Sequence, residues 1–189
     1  SGDGLLGEMS DTSRVLFPVD GNTAVAALRD VYAGRGQLAC LIVSKRDVEN
    51  RFDAESAQRL IRDGAAHLIG NPANAEVQLI ALGAYQLDEA IKAQQHLAEL
   101  GKCACVTVVL EPGRLRIPRD AIEAEFVDDD VTVSTLFPSG LPRVIVTHTR
   151  PEPMLGILRR IDSGPAKTRA LGYISRGGTF DVPGMLFAN

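Results

Sequence analysis

The chain has 189 residues, of which 45% are hydrophobic and 23% are charged, and its formal net charge is −4. This length suits one domain with part of another, and the composition is that of a globular protein, not of a disordered chain or a coiled coil. The mild acidity and the lack of a basic cluster argue against nucleic-acid binding, and no apolar run reaches the ~20 residues of a membrane span.

The cysteines and the N-terminal segment bear on the compartment. Three cysteines, Cys40, Cys103 and Cys105, cannot all pair with one another, and nothing in their spacing indicates a disulfide framework. Residues 1–10 lack the basic and then apolar regions of a signal peptide. We therefore expect a cytoplasmic protein with reduced thiols.

The first third of the chain predicts a strand, a helix and a second strand. Val15–Phe17 is a short apolar strand, and Pro18–Asn22 supplies residues typical of turns and helix caps. The following apolar residues recur at helical spacing until Gly34–Gly36, which predicts the end of the helix. Leu38–Val43 is then a continuous apolar run, the pattern of a strand covered on both faces.

A boundary is predicted near residue 70. Residues 51–64 are polar and mildly helical, and Gly70–Asn74 is a cluster of turn residues. After it comes a βαβ unit: strand Val77–Leu82, a helix over Leu87–Leu100, and strand Ala104–Leu110. Glycines at the two turns of this unit support the assignment, and the crossover of such units is nearly always right-handed.

The rest of the chain continues the alternation. Pro118–Glu125 predicts a short helix opened by proline, Val144–Thr147 a buried strand, and Glu152–Ile161 a helix. A last short strand is expected near Leu171, and Met185–Phe187 is an apolar tail that ends without a helix. Strands that alternate with helices predict an α/β fold with a mostly parallel sheet and flanking helices.

Two glycine motifs look like cofactor sites but lack their context. Gly2–Asp3–Gly4 has the opening letters of a thiamine-diphosphate metal motif, yet no strand precedes it and no asparagine pair follows it. We interpret it as a flexible terminus. Gly34–Ala39 fits the dinucleotide pattern G-x-G-x-x-A but closes a helix instead of opening one, so a helix-to-strand turn explains it.

Possible metal ligands are also weak. Cys103 and Cys105 should project from one face of a strand, but no second pair of ligands accompanies them, so we interpret them as small apolar residues of that strand. The run Asp128–Asp130 is interpreted as a solvated loop. No residue is assigned a catalytic role.

The three histidines differ in position. His67 and His96 lie in predicted helical or turn segments, where a solvated or capping role is expected, and neither has an obvious carboxylate partner. His148 follows a predicted parallel strand directly. Since open α/β sheets bind ligands at the carboxyl ends of their strands, His148 is a minor candidate for a binding site.

Several segments resemble transketolases and phosphoketolases. Phe17–Thr23 is similar to the "R-P-A-D-G-N-E" turn of transketolases and the "L-P-P-D-A-N" turn of phosphoketolases, and Cys40–Arg46 to the strand that ends in "L-S-R-Q" or "V-A-G-K-Q". Leu79–Gly101 resembles the opening of the transketolase C-terminal domain. Arg143–His148 and Gly172–Pro183 resemble the phosphoketolase segments "P-V-I-F-A-Y-H" and "G-Y-K-E-K-G-N-I-D-T-P".

The resemblance implies a division of the chain into two units. Residues 1–70 would be the end of a pyrimidine-binding-like domain plus a linker, and residues 71–189 a transketolase C-terminal-like α/β domain. The parent enzyme would use thiamine diphosphate and Mg²⁺ and act on a ketose phosphate of the xylulose 5-phosphate class. We expect this fragment to bind neither cofactor by itself and to serve a structural or dimerising role. Its partners would be the remaining domains of the parent chain, and the parent would be a homodimer.

The resemblance assigns one binding residue. Lys45 stands where transketolases have an arginine that binds the phosphate of the sugar substrate, and an ammonium at a strand end suits that role as a point charge. Arg46 could assist it, and the plainer interpretation of Lys45 is a solvent-exposed lysine. Phosphoketolases lack Ser44, so the reaction stays open between a transketolase, a phosphoketolase and an epimerase-like relative.

Two other classes of function are kept as alternatives. One is a non-catalytic regulatory domain that keeps the fold without the chemistry. The other is a small-ligand-binding α/β domain with its site at the strand ends after Gly83 or His148.

Overall fold

The computed structural model describes residues 2–174 and 183–184. Its seven strands are β1 (Ser13–Leu16), β2 (Leu38–Leu41), β3 (Ala65–Ile69), β4 (Val77–Leu82), β5 (Ala104–Val109), β6 (Arg143–Thr147) and β7 (Thr168–Leu171). Its α-helices are α1 (Gly2–Gly7), α2 (Gly21–Ala33), α3 (Ala54–Asp63), α4 (Ala84–Glu99), α5 (Ala121–Phe126), α6 (Asp130–Leu136) and α7 (Pro151–Ile157). Short 3₁₀ turns cover Pro72–Asn74, Pro112–Leu115 and Arg159–Ile161. These counts refer to the described part of the chain.

The strands form two sheets. Five of them pair in the order β3-β5-β4-β6-β7, and only β3 runs antiparallel to its neighbour. β1 and β2 form a separate parallel pair. The predicted α/β class with a mostly parallel sheet and flanking helices is therefore confirmed.

The central βαβ unit forms as predicted. β4 has the predicted bounds, and α4 begins at Ala84, one turn before the predicted start at Leu87. The turn between them needs Gly83, whose φ of 113° is a backbone conformation that side chains with a Cβ disfavour. All six residues of β5 are buried, and the strand lies inside the sheet between β3 and β4.

Two apolar clusters fill the interior, and both extend across the two sheets. In one cluster Leu16 of β1 and Ala27 of α2 pack with residues of β4 and β5 such as Ala81 and Val108. The other joins Val15 and Phe17 to Ile80 and to Met154 of α7. The backbone N–H of Phe17 also donates to the carbonyl oxygen of Leu110 at 2.7 Å, so the end of β1 lies against the end of β5.

One strand escaped the sequence analysis. The segment after α3 was not predicted to be a strand, yet Ala65–Ile69 forms β3 at the edge of the five-stranded sheet. Gly64 ends α3 in a left-handed conformation with φ 67°, and its carbonyl oxygen accepts from Leu110 and Glu111, which directs the chain into the sheet. The predicted boundary near residue 70 therefore falls between two strands of one sheet, and the division into two units stays a prediction.

Three local interpretations were wrong. Gly2–Asp3–Gly4 is not a flexible terminus, because it lies in α1 and the helix buries Leu6. Asp128–Asp130 is not a solvated loop: Asp128 is buried and pairs with Arg114 at 2.7 Å, while Asp129 caps α6 by accepting from Thr132 N–H at 2.7 Å. Cys103 precedes β5 and is exposed, whereas Cys105 is a buried residue of that strand, so the two thiols do not share its face.

The predicted elements of the C-terminal part can be compared with the structure only up to residue 174. β6 and β7 form near the predicted positions, and the predicted helix over Glu152–Ile161 appears as α7 followed by the 3₁₀ turn Arg159–Ile161. The apolar tail Met185–Phe187 and most of the resemblance over Gly172–Pro183 lie outside the described residues.

Candidate functional site

The turn between β1 and α2 anchors the loop that follows β2. Asp20 is the N-cap of α2, and its Oδ1 accepts hydrogen bonds from the backbone N–H and the hydroxyl of Thr23 at 2.7 and 2.8 Å. Its Oδ2 accepts from the backbone N–H groups of Arg51 and Phe52 at 2.8 and 2.9 Å. One buried carboxylate thus caps the helix and fixes the far end of the loop.

Two further bonds close the same turn. The N–H of Gly21 donates to Asn50 Oδ1 at 3.1 Å, and Asn22 Nδ2 donates to the carbonyl oxygen of Phe52 at 2.7 Å. A Cβ on Gly21 would lie only 3.2 Å from Asn50 Oδ1, so glycine suits this close approach. The residues that carry the family resemblance therefore have a local physical role in holding the loop.

The near end of the loop is tied to α4. The hydroxyl of Ser44 lies 2.6 Å from the carbonyl oxygen of Arg46 and 2.9 Å from the hydroxyl of Tyr85, in the first turn of α4. The N–H of Arg46 donates to Ser44 Oγ at 3.1 Å. Ser44 therefore fixes both the turn around Lys45 and its position against the central βαβ unit.

A cavity of about 390 Å³ lies between these elements. Its walls come from the turn 18–21, the loop 43–50 and Ala84 at the start of α4. These segments follow β1, β2 and β4, so the carboxyl ends of three strands meet at this cavity, and strand ends are the usual place of ligand sites in open α/β proteins. Ser44 and Arg46 line it.

Lys45, the residue assigned to phosphate binding, stands between these two. Its side chain is exposed and is not part of the cavity wall. Within the described residues its ammonium makes no hydrogen bond or ion pair, whereas Arg51 on the same loop pairs with Glu49 at 2.9 Å. The Lys45 charge is thus exposed and unpaired on the loop whose neighbouring residues, Ser44 and Arg46, line the cavity.

The histidines do not join this cavity. His148 directly follows β6, where the sequence placed it, and lines a different cavity. His67 was wrongly placed in a helical or turn segment: it lies on β3, half-buried, with Nδ1 2.9 Å from the hydroxyl of Thr107, and burial lowers its pKa. His96 is exposed on α4, where it does have a carboxylate neighbour, Glu99, at 3.3 Å.

The described residues do not fit a magnesium–diphosphate site. Among them, no group of three or more His, Cys, Asp or Glu side chains could hold a metal ion. The Gly2–Asp3–Gly4 letters belong to a helix and not to a strand-end turn. None of the described helices is long and apolar enough to cross a membrane.

Sequence reasoning missed some residues around these cavities. The N-cap signal of Asp20 was visible, but its bonds to residues 51 and 52 depend on a contact 31 positions away. Tyr85 gave no signal, because a tyrosine at the start of a helix is usually a packing residue. Asp3, Arg150 and Tyr173, which line the cavity beside His148, come from segments far apart in the chain.

Comparison with known proteins gives structural but not sequence relatives. No protein-family model and no curated protein matches the chain. The solved structures that it resembles include the transketolase of Pichia stipitis in complex with sedoheptulose 7-phosphate and a variant in complex with xylulose 5-phosphate, each with a TM-score of 0.65 and 16% identity. Each match covers 93% of this chain and 22% of the transketolase chain.

Two further matches agree with these. The transketolase of Leishmania mexicana has a TM-score of 0.56 and 18% identity over 71% of this chain and 18% of its own. A structure described as "Split gene transketolase, inactive beta4 tetramer" has a TM-score of 0.62 and 14% identity over 93% of this chain and 52% of its own. The chain therefore has a transketolase-like fold and spans only a part of the length of these proteins.

Proposed function

We propose that this chain is the C-terminal part of a thiamine-diphosphate-dependent enzyme that acts on a ketose phosphate. The observation that carries the proposal is the transketolase-like fold, which extends over 93% of the chain while spanning 22% of the Pichia stipitis transketolase. The order of the resembling segments, from the Phe17–Thr23 turn to the strand Arg143–His148, supports the same alignment.

A sugar phosphate is the substrate class that we propose. Two of the structural neighbours were solved with sedoheptulose 7-phosphate and xylulose 5-phosphate. In support, Lys45 carries an exposed, unpaired ammonium between Ser44 and Arg46, two residues of the cavity wall where β1, β2 and β4 end. An ammonium binds a phosphate through charge-assisted hydrogen bonds, which are stronger than those between neutral groups.

Within this proposal Lys45 binds the terminal phosphate, and Arg46 is a second cation on the wall of the same cavity. Ser44 orients the loop through its bonds to Arg46 and Tyr85. These groups hold one end of the substrate and do not touch the reacting carbons. The proposal covers transketolase, phosphoketolase and epimerase-like reactions, all of which start from such a substrate.

The remaining parts of the parent enzyme supply the chemistry in this proposal. Thiamine diphosphate and Mg²⁺ would be held by other domains of the parent enzyme, since the side chains of the residues described here do not form a metal site. The chain itself would have a structural role and would contribute to the homodimer interface of the parent. The parent would be a cytoplasmic enzyme.

A second candidate function is supported by one specific observation. The cavity beside His148 lies at the carboxyl ends of β6 and β7 and carries several unpaired polar side chains. This favours a small-ligand-binding or regulatory role for the domain, either within the parent enzyme or without it.

The gene that encodes this chain tests the first proposal. The reading frame upstream of Ser1 should encode a diphosphate-binding domain with a Gly-Asp-Gly turn after a strand. The full protein should turn over xylulose 5-phosphate when supplied with thiamine diphosphate and Mg²⁺. A reading frame without any such domain, and no partner gene that encodes one, would contradict it.

A further inference from the structure

The strand order of the five-stranded sheet reverses between β4 and β6. From β4 the chain passes through α4 to β5 on one side, and it later returns to β6 on the other side of β4. Such a reversal leaves a crevice outside the carboxyl ends of the two strands, where open α/β proteins bind ligands. The residues that follow these strands are close together, since a Cβ on Gly83 would lie 3.5 Å from the Cβ of His148.

A cavity of about 410 Å³ opens beside this crevice. This volume lies within the range of small-molecule pockets. Segments distant in sequence form its wall, namely the start of α1, the residue after β2 and the residues after β6 and β7. The lining residues are Gly2, Asp3, Ile42, His148, Thr149, Arg150 and Tyr173.

The backbone fixes the residues after β6 and β7 relative to each other. The N–H of Tyr173 donates to the carbonyl oxygen of Thr149 at 2.9 Å. A Cβ on Gly172 would lie 2.4 Å from that carbonyl oxygen and 2.7 Å from a methyl group of Thr147, so only glycine permits this approach. The hydroxyls of Thr147 and Thr149 lie 3.1 Å apart and hold the start of the loop.

Four polar side chains around the cavity have no partner in the protein. Within residues 2–174 and 183–184, the side chains of Asp3, His148, Arg150 and Tyr173 make no hydrogen bond or ion pair. The Oδ1 atom of Asp3 is also buried, so it has no hydrogen-bond donor in the protein and is shielded from solvent. A buried acceptor without a donor costs ~1–3 kcal/mol, which a ligand that donates to Asp3 would offset, while the exposed side chains of His148, Arg150 and Tyr173 are free to contact the same ligand.

The charges around the cavity define what would fit. Arg150 offers a guanidinium to an anionic group, in the geometry that carboxylates and phosphates share. Asp3 offers an acceptor to a hydrogen-bond donor. We propose that this cavity binds a small hydroxylated anion, with its carboxylate or phosphate on Arg150 and a hydroxyl on Asp3. His148 and Tyr173 supply further hydrogen-bonding groups on the wall.

This site is separate from the cavity near Lys45. The two cavities share no lining residue. Ile42 lines this cavity, and the next residue, Val43, lines the other. The inference rests on the second candidate function, that of small-ligand binding, and does not depend on the reaction of a parent enzyme. Its failure would leave the proposal for Lys45 untouched.

The test is an NMR titration of the ¹⁵N-labelled chain with D-glycerate and glycerol 3-phosphate, which separate the carboxylate from the phosphate. Propionate serves as an anion without a hydroxyl. At concentrations up to about 10 mM we expect one of the two hydroxylated anions to shift the amides of His148, Thr149 and Tyr173. Arg150→Gln should weaken this binding about tenfold, and Arg159→Gln, the loss of an exposed arginine outside both cavities, should not change it.

The hydroxyl contact has its own control. Wild type should bind the hydroxylated anion that shifts these amides more tightly than a matched anion without hydroxyls, which is propionate for D-glycerate and propyl phosphate for glycerol 3-phosphate. Asp3→Asn should remove at least half of this difference in binding free energy. Shifts from neither hydroxylated anion, or shifts that are the same in wild type and Arg150→Gln, would overturn the site. Equal binding of the hydroxylated anion and its matched anion to wild type would overturn the role of Asp3.

Discussion

The guanidinium of Arg14 forms a two-pronged ion pair with the carboxylate of Glu111. Nε of Arg14 lies 2.7 Å from Oε1 of Glu111, and one terminal nitrogen lies 2.8 Å from Oε2. Glu111 is fully buried, and its hydrogen bonds, followed by its charge, raise the pKa of Arg14. The pair links β1 to the segment after β5, so it joins the two sheets across the predicted division of the chain.

Removing one partner of this pair should destabilise the protein strongly. Arg14→Met leaves the buried Glu111 carboxylate without its counter-ion, and we expect the free energy of unfolding to fall by ~3–5 kcal/mol. Glu111→Gln should cost less, because Arg14 keeps Asp30 as a counter-ion at 2.8 Å. The double change to Met and Gln should cost less than the sum of the two single changes, because residue 111 then carries no buried charge and the Asp30 carboxylate left behind is partly exposed to solvent. Urea unfolding measures all three variants.

An exposed pair provides the control. Arg59 and Glu55 face solvent one turn apart on α3, and Arg59→Gln should cost less than ~0.5 kcal/mol. Equal losses at Arg14 and Arg59 would contradict the structural role of the buried pair.

Glu123 should make stability depend on pH in the acid range. Its side chain is fully buried, and the hydrogen bond from the Arg119 side chain is the main cause that lowers its pKa from 4.5 to about 2. Because the folded-state pKa lies below the unfolded one, the stabilisation is fully present above about pH 4.5. It is lost as the pH falls towards 2, and it amounts to roughly 3 kcal/mol.

Thermal unfolding between pH 2 and 6 checks this prediction. Glu123→Gln should flatten the acid branch of the stability curve, while Glu125→Gln, an exposed change on the same helix, should leave the curve close to wild type. An acid branch that is unchanged in Glu123→Gln would show that other groups cause it.

The isolated chain should self-associate through α2. Val25, Leu28 and Tyr32 lie along one side of this helix with 47%, 44% and 84% of their surface exposed. An apolar stripe of this kind is typical of a surface that another protein covers. Sedimentation velocity should show concentration-dependent association that Leu28→Glu abolishes and Ile122→Glu, at an exposed site on α5, does not. A monomer at every concentration that binds no hydrophobic dye would count against it.

The isolated chain should not bind thiamine diphosphate. The described residues offer no metal site, and Mg²⁺ needs several oxygen ligands to bridge the diphosphate to the protein. Titration calorimetry with thiamine diphosphate and Mg²⁺ should give only the heat of dilution. Micromolar binding would show that this chain is more than a fragment of such an enzyme.

The central sheet was accessible from sequence because its strands are buried on both faces. Val77–Leu82 and Ala104–Val109 are nearly uninterrupted apolar runs bounded by glycines, so local pattern and final structure agree. β3 was missed because it is an edge strand of five residues that follows a helix directly. Among the residues that the structure describes, its one strand neighbour is β5, about 40 residues away, and no local pattern predicts such a pairing.

The acidic residues show the limit of compositional reasoning. Asp128, Asp129 and Asp130 are consecutive, yet one is buried against Arg114, one caps α6, and one pairs at the surface with Arg160. Their different roles depend on contacts made by other segments. The same holds for the cavity beside His148, where the sequence indicated only one of the four unpaired side chains.

The role of Lys45 is the central claim about function, and kinetics of the full-length parent enzyme test it most directly. Lys45→Ala removes a charge-assisted hydrogen bond of ~1.5–3 kcal/mol, so kcat/KM for xylulose 5-phosphate should fall by roughly ten- to a hundredfold, mostly through KM. Lys45→Arg should keep much of the activity, and Lys167→Ala, at an exposed lysine outside this cavity, should keep all of it. For xylulose without the phosphate, Lys45→Ala should change kcat/KM little. Equal losses for the phosphorylated and the unphosphorylated ketose would contradict the assignment.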